Sequence, residues 1–114
     1  MSFEPRDYLR HILDEADFLI REASGVTAEQ FKANDTLQRA FVRSLEVIGE
    51  AARNMSEDIR DGHPEIAWKQ ITGTRDRLIH GYFDVDLDII WAILTRDLPP
   101  LISSLEELLS QEER

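Results

Sequence analysis

The segment Gly73-Thr74-Arg75-Asp76-Arg77-Leu78-Ile79-His80-Gly81-Tyr82-Phe83 packs two guanidinium groups, a carboxylate, an imidazole and a phenol into eight residues. Such groups suit phosphodiester chemistry on RNA without a metal ion. The ribose 2′-hydroxyl would attack the adjacent phosphate, His80 would transfer a proton, and Arg75 would stabilise the charge growing on phosphate oxygens. An imidazole titrates near neutral pH, which fits that work. Read as a helix at about 100° per residue, the segment puts Asp76 and His80 one turn apart on the same face. Asp76 could then set the tautomer or raise the basicity of His80, with Arg77 as a further supporting cation. Tyr82 falls nearly under Arg75, two turns on. Arg75 and His80 stand about 140° apart on an ideal helix, so they converge only through the length of arginine or a helix that loosens near Gly81. One histidine cannot easily be both base and acid in one step. A dimer bringing two copies of the segment together would supply both and double the arginine charge. The same residues also compose an ordinary helix terminus, with cations near the carbonyl end, a glycine cap and a surface Asp76–His80 pair. Residue types alone leave both readings open.

Other chemistries find little support. The 114 residues include no cysteine, which removes disulfides, thiolate metal sites and a cysteine nucleophile together. There is no glycine-rich phosphate loop and no His-Glu-x-x-His pair. The run Asp84-Val85-Asp86-Leu87-Asp88 starts like a calcium loop, but Ile89 stands where the turn glycine belongs and Thr95 where the bidentate glutamate belongs. Helix capping accounts better for these aspartates. His11, His63 and His80 show no ligand-pair spacing, so no metal site is expected.

The elements that must position the segment read as helices almost throughout. Leu9, Ile12, Leu13, Ala16, Leu19, Ile20 and Ala23 form one stripe, closed by Gly25. Thr27 and Gln30 have the spacing of a capping box before a short turn of helix. A long segment then starts at Asp35 or Thr36, with Leu37, Phe41, Leu45, Ile48, Ala52, Met55 and Ile59 on one stripe. Ala40, Val47 and Ala51 widen that stripe until the helix must bury two faces, the second of which often belongs to another subunit. Asp61-Gly62-His63-Pro64 ends this helix, and a shorter one is expected from about Pro64 to Ile79, weakened at Gly73 and ended by Gly81. Asp84 or Asp86 caps a last segment that Pro99-Pro100 should kink or restart. Nothing alternates convincingly with period two. The expected architecture is one all-α domain over residues 1–114, a bundle of four to five helices.

The formal net charge is −10, which argues against a protein that simply coats nucleic acid, since phosphate neutralisation needs a basic face. A confined basic cleft remains compatible with it. No apolar run is long enough to span a membrane and the first residues carry no apolar leader, so a soluble, cytoplasmic protein is expected.

Arg75-x4-His80-x-Tyr82 resembles the signature of HEPN-domain ribonucleases, specifically the HepT-like toxins of MNT–HEPN toxin–antitoxin systems. The segments Arg43-Ser44-Leu45-Glu46-Val47-Ile48-Gly49-Glu50-Ala51-Ala52-Arg53, Pro64-Glu65-Ile66-Ala67-Trp68, Arg77-Leu78-Ile79-His80-Gly81-Tyr82-Phe83 and Val85-Asp86-Leu87 resemble that family in order and spacing, over essentially the whole chain. The resemblance implies a HEPN-like helical homodimer, joined through the long second helix and the motif helix, that cleaves RNA without a metal or a cofactor of its own. It implies Arg75 as the phosphate-stabilising residue and His80 as the proton-transfer residue. It also implies a partner, an MntA-like minimal nucleotidyltransferase antitoxin, that moves AMP from ATP onto Tyr82. Phosphate placed in the arginine–histidine cleft would occupy the substrate's site and cancel its charge. A competing expectation is a non-catalytic dimeric helical accessory subunit of a nucleotidyltransferase.

Overall fold

Apolar residues three and four apart produce the two long helices against which everything else packs. Helix α1 (Pro5–Ala23) starts with proline in its first turn and buries Leu9, Ile12, Ala16 and Leu19. It closes at Ser24 and Gly25, and Gly25 has a φ of 78°, a conformation that glycine adopts without strain. Helix α3 (Asp35–Arg53) is capped by the Asn34 side chain, which accepts from the Leu37 amide at 3.0 Å. It buries Phe41, Leu45, Ile48 and Ala52 and packs along α1. The buried Ser44 hydroxyl ties the two together by donating to Glu15 Oε1 at 2.8 Å. The computed structural model describes residues 3–80 and 84–114; Gly81, Tyr82 and Phe83 lie outside the described residues.

Between these helices, α2 (Ala28–Lys32) carries the expected capping box: the Gln30 amide donates to Thr27 Oγ1 at 3.1 Å, and the Thr27 amide donates to Gln30 Oε1 at 2.9 Å. Its Phe31 is fully buried and stacks on Phe41 and Trp91, with ring centroids 5.4 and 5.3 Å away.

The expected continuous helix to Ile59 is interrupted. Asn54 caps α3 by donating its side-chain amide to Glu50 O at 2.8 Å, and Ser56 starts a new helix, α4 (Glu57–Gly62). The three-and-four spacing runs through this break because Met55 and Ile59 still face the core. Helices α5 (Trp68–Thr72) and α6 (Thr74–Leu78) pack on α3, where Ala51 is buried while Ala40 and Val47 on the widened face are half-buried. The approach is close: a Cβ added at Gly49 would lie 3.3 Å from Ile71 O.

The expected single helix over 64–79 is thus two short ones meeting at Gly73, and it ends earlier than Gly81. Ile79 is extended (φ −110°, ψ 117°), and β1 (Ile79–His80) pairs antiparallel with β2 (Asp84–Val85), placing Ile79 opposite Val85 and His80 opposite Asp84. Two residues per strand are too few to show as period-two alternation. Asp86 then caps α7 (Leu87–Ala92), its carboxylate accepting from the Ile89 amide at 3.1 Å. A π-helical turn (Ile93–Asp97) leads into α8 (Leu98–Glu112), where Leu105 and Leu108 are buried and the helix packs on α1. The turn widens just where Pro99 and Pro100 lack the amides that Thr95 and Arg96 carbonyls would otherwise accept from. The result is the expected all-α bundle, its four packed units being α1, α3, α5–α6 and α7–α8. Among the described residues no helix is long and apolar enough to cross a membrane.

Candidate functional site

Arg75, Asp76 and Arg77 all belong to α6, a helix of one and a half turns held from below by the buried Leu78. The helix is stitched to its predecessor by Thr74, whose buried hydroxyl donates to Gln70 O at 2.9 Å. Trp68 anchors the other end of this pair, its indole N–H donating to His63 O at 3.1 Å. A helix this short is not stable alone, so Trp68, Ile71 and Leu78 in the core are what hold the arginines in place.

Arg75 is exposed and faces α3, with Nε 3.7 Å from Glu46 Oε2. Its backbone carbonyl accepts from the Ile79 amide, the last hydrogen bond before the chain becomes extended. The Asp86 amide donates to Leu78 O at 2.8 Å and fastens the hairpin to the end of the helix. His80 therefore leaves the helix axis on a strand, and the i, i+4 relation between Asp76 and His80 does not apply. The chain leaves the helix between Arg75 and His80, becoming extended at Ile79. Tyr82 lies outside the described residues.

Arg77 goes elsewhere. It lines a cavity of about 290 Å³ whose floor is Leu45, Ile48, Ile71, Ile93 and Leu98, with Glu65, Arg96 and Asp97 at the rim. The Glu65 carboxyl is held below its ordinary value by a backbone hydrogen bond and then by His63, whose Nδ1 is 3.2 Å away. The sequence grouped Arg77 with Arg75; the structure separates them, and Asp76 projects into solvent between.

A second concavity, of about 550 Å³, lies on the Arg75 side of the molecule. It runs between α3 and the β2–α7 junction and is lined by Arg39, Arg43, Glu46, Asp84, Val85 and Leu87 among others. Glu46, the Arg75 partner, forms one end of its α3 wall, and Asp84, the strand partner of His80, sits on the other wall. Arg39 and Arg43 were not singled out by spacing, because isolated arginines on a helix face read as a solvated surface. Their positions four apart, with Glu46 three further on, mark one face of α3 and were the available signal.

The aspartates that began like a calcium loop have separate tasks. Asp84 is in β2, Asp86 caps α7, and Asp88 pairs with Lys32 Nζ at 2.6 Å, which raises the Lys32 pKa. Among the described residues no three His, Asp or Glu side chains gather as metal ligands do.

A family model described as ribonuclease HepT-like matches residues 12–108. The chain belongs to the ribonuclease HepT-like family. Full-length relatives agree. A protein named "Putative RNase" from Caldanaerobacter subterraneus subsp. tengcongensis is 46% identical over 109 residues, covering 96% of this chain and 97% of its own. A "Probable ribonuclease HepT" from Thermococcus cleftensis is 36% identical over 108 residues, covering 95% of this chain and 98% of its own. A "Putative RNase" from Methanocaldococcus jannaschii is 37% identical, covering 95% of this chain and 89% of its own. No solved structure matches the chain significantly. As a HepT-like protein the chain is an all-α ribonuclease, in agreement with the resemblance read from Arg75, His80 and Tyr82.

Proposed function

We propose that this HepT-like chain is a metal-independent endoribonuclease and the toxin of a toxin–antitoxin pair. The observation that carries the reading is the turn of the backbone between Arg75 and His80, where α6 ends at Leu78 and residue 80 continues on a strand. Arg75 would bind the scissile phosphate through charge-assisted hydrogen bonds that strengthen as its oxygens gain charge. In the reaction the ribose O2′ forms a bond to phosphorus and the P–O5′ bond breaks. The 2′-hydroxyl proton passes to a base and the 5′ oxygen receives a proton from an acid, leaving a cyclic phosphate and a 5′-hydroxyl. Two His80 side chains, one from each protomer of a homodimer, would fill the two roles. Asp76 is an exposed carboxylate beside Arg75 rather than a helical partner of His80, and Arg77, which lines a separate cavity, takes no part in the step.

Neutralisation would come from a minimal nucleotidyltransferase antitoxin that transfers AMP from ATP to the Tyr82 hydroxyl, releasing pyrophosphate. The added phosphate would compete for the same guanidinium groups that hold RNA. Co-expression tests the proposal. The chain alone should arrest growth, and Arg75→Ala should relieve the arrest. With the nucleotidyltransferase encoded beside it, intact mass should show added AMP on the wild type and none on Tyr82→Phe. A chain that causes no arrest yet binds the nucleotidyltransferase tightly would instead be the non-catalytic accessory subunit.

A further inference from the structure

The groove along α3 has a charge arrangement that the motif does not explain. In a protein with a net charge of −10, it places Arg39 and Arg43 one helical turn apart, about 6 Å along the axis, on the same face of α3 as Glu46, with the carboxylates Asp35, Glu46 and Asp84 also in the lining. Arg39 Nε is paired with Asp35 at 3.1 Å, and Arg75 with Glu46 at 3.7 Å, both pairs well exposed on the arginine side. Arg43 is exposed in the groove and has no ion-pair partner among the described residues. The opposite wall is the β2–α7 junction, starting at the strand partner of His80. Glu46, the ion-pair partner of Arg75, lines the α3 wall.

We propose that this groove is the track for the flanking part of a single-stranded RNA, with Arg43 holding a phosphate next to the one that Arg75 holds. The proposal rests on the ribonuclease reading of Arg75 and His80. Guanidinium groups on phosphate form short, charge-assisted contacts, and a cation without a carboxylate partner does so without first breaking an ion pair. Arg39 joins by exchanging Asp35 for phosphate, an exchange that exposed pairs allow because each is worth little. A concavity of about 550 Å³ is of nucleotide size, and the proposed track is for a single strand rather than a duplex. Val85 and Leu87 on the wall offer apolar surface to a base or ribose and carry no sequence code.

Binding of a fluorescent single-stranded RNA to the full-length His80→Ala protein, titrated at increasing potassium chloride, tests the track without cleavage. Adding Arg43→Ala should weaken binding about fivefold at low salt and reduce the slope of log affinity against log salt by about 0.7, the share of one phosphate on a single strand. Arg43→Glu should weaken it further. Arg21→Ala, which removes the same charge from α1, should change neither affinity nor slope. The same RNA annealed as a duplex should bind more weakly than the single strand. Unchanged affinity and slope for both Arg43 variants would overturn the track, as would a duplex bound as well as the single strand. A wild-type protein that cuts RNA normally while the Arg43 variants bind like the parent would leave the ribonuclease reading standing and remove only the track. A wild type that neither binds nor cuts RNA would remove both.

Discussion

The α1–α3 pair and the α5–α6–hairpin segment are built on opposite terms. Each of the long helices runs for 19 residues and buries several large side chains, so the pair defines its own geometry. The motif segment consists of two five-residue helices and strands of two residues, none stable by itself. It borrows its shape from the scaffold through Trp68, Ile71 and Leu78 below, and from Gly49, whose missing side chain lets the segment approach α3. The lesson is a division of labour. Residues that bury area set stability, while the exposed charges of the motif are free to serve a substrate.

Substitutions can break that division or sharpen it. Phe41→Ala removes a fully buried ring stacked on Phe31 and should cost about 3–5 kcal/mol, read as a large fall in the urea midpoint. Arg75→Ala should do the reverse, lowering the RNA cleavage rate about 100-fold or more while the urea midpoint stays in place, because the side chain is exposed and its one ion pair is weak. Loss of stability in Arg75→Ala, or of activity without loss of stability in Phe41→Ala, would blur the distinction. Ser44→Ala should destabilise by about 1–2 kcal/mol, since the hydroxyl that links α3 to Glu15 on α1 is buried. Thr27→Ala should give the smallest change, about 1 kcal/mol, by removing the cap of α2. Both belong to the scaffold, so cleavage measured well below the melting temperature should hold.

Legibility in the sequence followed the same boundary. The scaffold stripes, the Thr27–Gln30 capping box, the Asp86 cap and the proline-marked joint before α8 could be read locally, because each depends on neighbours within a turn of chain. The motif residues stood out by chemical type. Their arrangement did not, because it depends on distant partners: the Asp86 amide on Leu78 O ends the helix, and the Ile79–Val85 pairing extends the chain. The break at Asn54 escaped notice because the apolar spacing continues across it. The wide apolar girth of α3 suggested a second subunit; α5 and α6 pack on that helix, while Ala40 and Val47 stay half-buried. The Arg39–Arg43 groove was invisible for a different reason, since only the fold brings β2 and α7 alongside α3.

The central claim is that the turn joining Arg75 to His80 is a site that cuts RNA with side chains alone. The direct measurement is cleavage of a labelled RNA by the purified chain in excess EDTA, beside His80→Ala of matched circular dichroism. The wild type should cut to a cyclic-phosphate end and a 5′-hydroxyl, with His80→Ala slower by about 100-fold or more. Equal cutting by both proteins, or cutting that EDTA abolishes, would contradict it.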